Sequence, residues 1–270
     1  MSRKIFFRMW LLTTCIILAG CTTGTPFQVS VFKKFVVYPK AENVSGLKFN
    51  IISGEASNLC GVDFGGFDSY ENNIDGVVIS GGLAAAKLEV NGVAIGGVFA
   101  AADKDFNGFA MGGLLAGSAK KLNGFALGGI FAGGEEEIKG FAFGGLLSGG
   151  NKAELNGVCM SAITSVVEKS NGLQLATVNY NHGETKSLFY QLAPLCNYAG
   201  AGAGFQIGGV NFTEDSIFQF GVFNKADSGI QLGALNWNKN GFLPWFPIFN
   251  YSSCQDNAVP AGKTTDVNIR

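Results

Sequence analysis

Residues able to do chemistry are few in this chain, and they are scattered. Its 270 residues include six cysteines and a single histidine, His182. A protein metal centre draws on thiolates and imidazoles at short, regular spacing. No Cys-x-x-Cys occurs among Cys15, Cys21, Cys60, Cys159, Cys196 and Cys254, so no metal ligands are assigned. Acid–base or nucleophilic catalysis needs groups converging on a pocket. The acidic residues instead gather in short polar stretches such as Glu135-Glu136-Glu137, the pattern of solvated turns, and no catalytic residue is assigned. Between Gly200 and Gly204 the glycines imitate a dinucleotide fingerprint, but no strand–helix–strand pattern surrounds them. No cofactor is expected. One cysteine, Cys21, is set apart by what precedes it.

Ser2-Arg3-Lys4 and Arg8 make a basic start, and Met9 to Ala19 is apolar apart from Thr13 and Thr14. That run is short for a membrane span of about 20 residues, so residues 1–20 read as a signal peptide. Leu18-Ala19-Gly20-Cys21 resembles the lipobox of bacterial lipoproteins. The resemblance implies cleavage after Gly20 and a lipid on Cys21. Thr22 follows where an inner-membrane retention signal has Asp, which implies outer-membrane placement and a membrane partner reached through the lipid. Residues 1–20 hold three of the 19 Lys and Arg and none of the 20 Asp and Glu, so the remainder carries a net charge of −4. This excludes the basic footprint of a nucleic-acid partner. Cys60, Cys159, Cys196 and Cys254 remain, and allow three pairings if all are bridged.

Asp75 to Asn179 positions everything else. A glycine reopens the pattern at residues 76, 92, 108, 124, 140, 157 and 172, at intervals of 15 to 17. A repeat at this scale identifies an array. After each opening Gly the first and third positions are large and apolar (Phe109 and Met111, Phe125 and Leu127), and the second is small (Ala110, Ala126). Large–small–large alternation is a strand signature, and it assigns the large columns to the core and the small column to the opposite face. Glycine pairs such as Gly112-Gly113 then mark a corner. The Asn before each opening Gly (Asn91, Asn107, Asn123, Asn156, Asn171) reads as a return turn. Cys159 stands in the small column.

Domain organisation follows from these units. Residues 1–20 are the signal peptide, 21–45 a lipidated tether and N-terminal cap, 46–251 the repeat domain, and 252–270 a polar tail. Within the repeat domain, 181–203 breaks the rhythm and reads as an insertion.

Between Gly204 and Asn236 the unit becomes Gly-φ-Gln-φ-Gly-x-φ-Asn, where φ is apolar, and Asn240-Gly241-Phe242-Leu243-Pro244-Trp245-Phe246-Pro247-Ile248-Phe249-Asn250 closes it. These units resemble the surface-repeat lipoproteins of spirochaetes and other bacteria. That resemblance implies surface or outer-membrane placement and supplies no catalytic residues. The expected fold is all-β, a β-solenoid favoured over an antiparallel meander or hairpin stack. A 12-stranded outer-membrane β-barrel, hence a pore or channel, is the alternative. The expected role is structural or adhesive, with a protein or cell-surface partner and no enzyme activity. No binding residue is singled out. Polar ends (Lys48 and Asp63, then a run of Gln) flank an Ala-lined middle in the small column, which suggests that something covers this face.

Overall fold

The computed structural model describes residues 24–32, 35–38, 42–184, 189–202 and 204–253. The signal peptide, Cys21 and Cys254 lie outside the described residues. Those described form a β-solenoid in which successive repeats stack as parallel strands in register, and no helix occurs among them. Phe125 pairs with Phe109 on one side and Phe141 on the other, and Ala126 likewise with Ala110 and Ala142. A meander, a hairpin stack or an up-and-down barrel would make those neighbours antiparallel, so all three readings are corrected here. Antiparallel pairs appear at the two ends, where Phe35–Tyr38 pairs with Thr25–Phe32 and Trp245–Ser252 pairs with Ser228–Asn238. The unpaired edges of the stack therefore lie outside these end strands, and Pro247 in the last strand has no N–H to offer a further one.

One coil shows the construction. Strand Asp105–Gly112 ends at a corner of Gly113 and Leu114, strand Leu115–Ser118 follows, and Ala119-Lys120 turns into the next coil. The glycine pair does mark the corner, but close approach and not a left-handed backbone requires it: a Cβ on Gly112 would sit 1.8 Å from the Leu115 carbonyl oxygen, and one on Gly113 2.1 Å from that of Gly97. Asn107-Gly108 is not a turn: it lies inside the long strand. Gly108 bends that strand at φ 134°, and a Cβ there would sit 2.1 Å from the Gly92 carbonyl oxygen. Its asparagine neighbours serve the stack instead. Asn123 donates to Asn107 and Asn107 to Asn91, each at 2.8 Å, and Asn91 donates to Asp75 at 2.8 Å.

The core is inverted relative to the large–small alternation. Ala94, Ala110, Ala126 and Ala142 are fully buried, while Met111 and Phe143 in the large column are 46% and 40% exposed. Volume explains the inversion. A coil this short encloses a narrow lumen, already filled in each turn by one large side chain before the opening Gly: Val90, Phe106, Leu122, Ile138 or Leu155. Opposite it only small side chains fit, as at Ala100, Ala116, Ala132 and Ser148. Interiors have crystal-like density, so a second large column must go outside. There the phenylalanines stack along the axis, with ring centroids 5.7 Å apart for Phe109–Phe125 and 4.6 Å for Phe125–Phe141.

Toward the C-terminal end the coils shorten and the lumen becomes polar. The described part of residues 181–203 is not an insertion there. Strand Phe189–Ala201 is a coil in register, with Gln191 between Gln174 and Gln206 and Asn197 between Asn179 and Asn211. Two departures hide it in the sequence: Phe189 stands where the next coil has Gly204, and the register slips between Ala193 and Cys196. The Gln column continues the buried Ala column, since Gln174 pairs with Cys159 and Cys159 with Ala142. Each glutamine spends both amide hydrogens. Gln206 donates to Gln191 at 2.8 Å and across the lumen to the Phe212 carbonyl at 3.1 Å, and Gln219 to Gln206 at 2.7 Å and the Lys225 carbonyl at 3.2 Å. Asparagines form a second ladder, in which Asn211 donates to Asn224 at 2.8 Å and to the Phe220 carbonyl at 3.0 Å. The recurring Gln and Asn are internal braces, and such bonds add about 1 kcal/mol each when fully satisfied.

Candidate functional site

Among the described residues the cysteines and the histidine do not converge. Cys159 is buried in the Ala column, and burial pushes its thiol up to about 12, which keeps it un-ionised and inert. Cys196 is a second free thiol, partly exposed, with its pKa also raised by burial. Cys60 is disulfide-bonded. His182 is exposed on the outer wall, its ring 5.8 Å from that of Tyr180. Among the described residues no three His, Cys, Asp or Glu side chains are grouped to hold a metal.

The concentrated chemistry is inside the N-terminal coils, where sequence reasoning placed an outward face. Lys48 pairs with Asp63, and Asp63 with Val78, so both belong to the same inward column as the alanines. Lys48, Asp63 and Asp68 are fully buried, with Tyr70 and Asn50 almost so. The Lys48 ammonium lies 3.2 Å from Asp63 Oδ2, donates to Tyr70 Oη at 3.2 Å and sits 4.4 Å from the Tyr70 ring centroid. Tyr70 in turn donates to Asp63. Asn50 Nδ2 donates to Asp63 Oδ1 at 2.8 Å and to Asp68 Oδ1 at 2.6 Å.

Charge balance within this cluster assigns a proton. Burial raises the pKa of Asp63, opposed by the Lys48 charge and the Tyr70 hydrogen bond. Asp68 is pushed up to about 7, by burial first and by the Asp63 carboxylate second. Burial also holds the Tyr70 hydroxyl well above its usual range, so it stays a donor. Just below neutral pH Asp68 therefore keeps its proton, while the Lys48 charge and the Tyr70 hydrogen bond favour the carboxylate at Asp63. With no side chain open to solvent, the cluster is a polar plug inside the N-terminal coils.

This cluster makes stability pH-dependent. Between pH 4 and 7 the unfolded chain has released the Asp68 proton while the folded chain keeps it, so folding stability falls as pH rises through that window and levels off above it. Asp68→Asn should reduce this slope to the part that Asp63 contributes, a difference on the order of a few kcal/mol. Thermal melts at pH 5 and pH 8 check it: the melting temperature should drop less in the variant than in the wild type.

What faces solvent is the outer wall. After each opening Gly the outward columns run through Phe109, Met111, Leu114 and Leu115 and their equivalents without a charge, and the charges begin at Lys120. Shallow hollows interrupt the wall. One, of about 610 Å³, is lined by Phe143, Met160, Leu175, Leu192, Pro194 and Ile207 where the coils begin to shorten. Another, of about 550 Å³, lies beside Tyr198, Phe212, Lys225 and Trp237, where the Lys225 ammonium rests 4.9 Å from the Trp237 ring centroid. Comparison with known protein families, characterised proteins and solved structures found no match.

Proposed function

We propose that the chain is a lipid-anchored protein of the bacterial outer membrane whose solenoid serves as a structural or binding element, without catalysis. Support for the anchor comes from Leu18-Ala19-Gly20-Cys21 after a basic and then apolar start. Support for the role comes from one observation: the solenoid spends its large side chains on the outside. Folding alone would be served as well by polar outward columns, so a wall of Phe, Met, Leu and Ile is surface kept for contact. Reactive side chains are buried, bonded or dispersed, which suits a scaffold better than an enzyme.

The anchor is tested by metabolic labelling with a fatty acid in the host cell. Wild-type chain should take up label and partition with membranes, and Cys21→Ser should accumulate unlabelled as precursor or soluble protein. Label persisting on the Cys21→Ser chain refutes the assignment. Proteolysis of intact cells then separates an external from a periplasmic placement.

A further inference from the structure

We infer that the apolar corner of the wide coils inserts as a ridge into a lipid leaflet, so that the solenoid lies along the membrane. Leu114, Ile130 and Leu146 stand at the Gly-Gly corner of successive coils, 42%, 38% and 43% exposed. Each is flanked along the axis by its equivalents, so this exposure means the whole outward side is bare. Met111 and Phe143, on one side of the corner, are 46% and 40% exposed, and Leu115, on the other, 38%. The bare surface thus wraps around the corner.

That shape selects the occupant. A corner of a closed coil is convex. Two rigid convex ridges touch along a line, too little to bury both walls, and a stable protein interface needs roughly 800 Å² per partner. Fluid acyl chains conform to a convex ridge, and interfacial elements sit about 5–10 Å deep at the headgroup boundary. The charged turns, such as Lys120 with Glu136 at 3.6 Å, follow the second strand of each coil and stay in water. Position agrees if the anchor reading holds, on which this one argument rests. The first strand starts at Thr25, four residues after Cys21, so the tether spans at most about 14 Å. So short a link holds the end of the tube at the leaflet and raises the effective concentration of the ridge there.

The test uses the chain from Thr22 onward, which keeps every described strand and carries no lipid. It should float with phosphatidylcholine vesicles, and because the ridge is uncharged the bound fraction should be insensitive to salt and to added phosphatidylglycerol. Leu114→Lys combined with Ile130→Lys should cut the bound fraction at least tenfold. Should that pair disturb the melt, Leu114→Ser with Ile130→Ser removes apolar area without adding charge and should weaken binding in the same direction. Failure to float overturns the inference. So does binding that requires phosphatidylglycerol and vanishes with salt, because the charged turns would then carry it. A wild-type dimer in sedimentation that the Ser pair dissolves, without vesicle binding, assigns the ridge to a second copy. Fatty-acid labelling in cells and vesicle flotation can each fail alone, so loss of the anchor reading and loss of the ridge are told apart.

Discussion

Ala126→Asp should unfold the central coils under conditions where Phe125→Asp leaves them folded. The two positions are adjacent and receive the same charge, so the comparison tests which side of the wall each occupies. Ala126 is fully buried between Ala110 and Ala142, with Leu122 and Ala132 filling the same lumen. An aspartate there meets neither water nor a partner, and burial of an isolated carboxylate is costly enough that it protonates or breaks the structure. Overpacking adds typically 1–3 kcal/mol. Phe125→Asp loses two ring stacks, at about 0.5–1.5 kcal/mol each, and keeps its new charge in solvent. Circular dichroism melts should show Phe125→Asp lowered by several degrees, and Ala126→Asp without a native transition. The reverse order would mean that the walls are assigned inside out.

Asp63→Ala should destabilise the N-terminal coils by about 3–5 kcal/mol, because it removes the carboxylate in contact with the buried Lys48 ammonium and leaves only the more distant Asp68 to balance it. Tyr70 is a poor substitute, since its hydroxyl stays neutral. Lys48→Met in the same chain should recover most of the loss: a buried pair is expensive to break and cheap to replace by apolar groups of similar volume. Hydrogen exchange locates the effect. Amides of strands Asn43–Asn50 and Asn58–Tyr70 should lose protection first, while those of Ser228–Asn238 at the far end hardly change, as expected where each repeat contacts chiefly its neighbours. Uniform loss along the array would contradict that local coupling. A harmless Asp63→Ala would mean that the ammonium does not depend on Asp63.

The period and the glycine pairs determined a good deal by themselves. Equal residue types recurring at 15 to 17 residues can stack only if consecutive repeats are equivalent, and parallel coils satisfy that while alternating strand directions do not. The corners were legible too, because the pairs at Gly112-Gly113 and Gly128-Gly129 lie where the chain turns. Asn-Gly misled because the same dipeptide that favours a hairpin turn also suits a bent strand, and local sequence does not distinguish them. The side chains of Asn91, Asn107 and Asn123 find their partners a whole coil away.

Which face points inward was decided only by the closed coil. Period-2 alternation separates two faces but does not name the buried one, and hydrophobicity named the wrong one. The lumen is limited by volume, so Ala and Gly enter where Phe and Met are refused, and Gln and Asn enter where they can brace the far wall. Lys48 and Asp63 illustrate the same limit from the polar side. Read along the chain they are charges on an open face. Brought one above the other by the stack, they neutralise each other inside it, because the partner that makes burial tolerable lies one coil distant and only the tertiary structure supplies it.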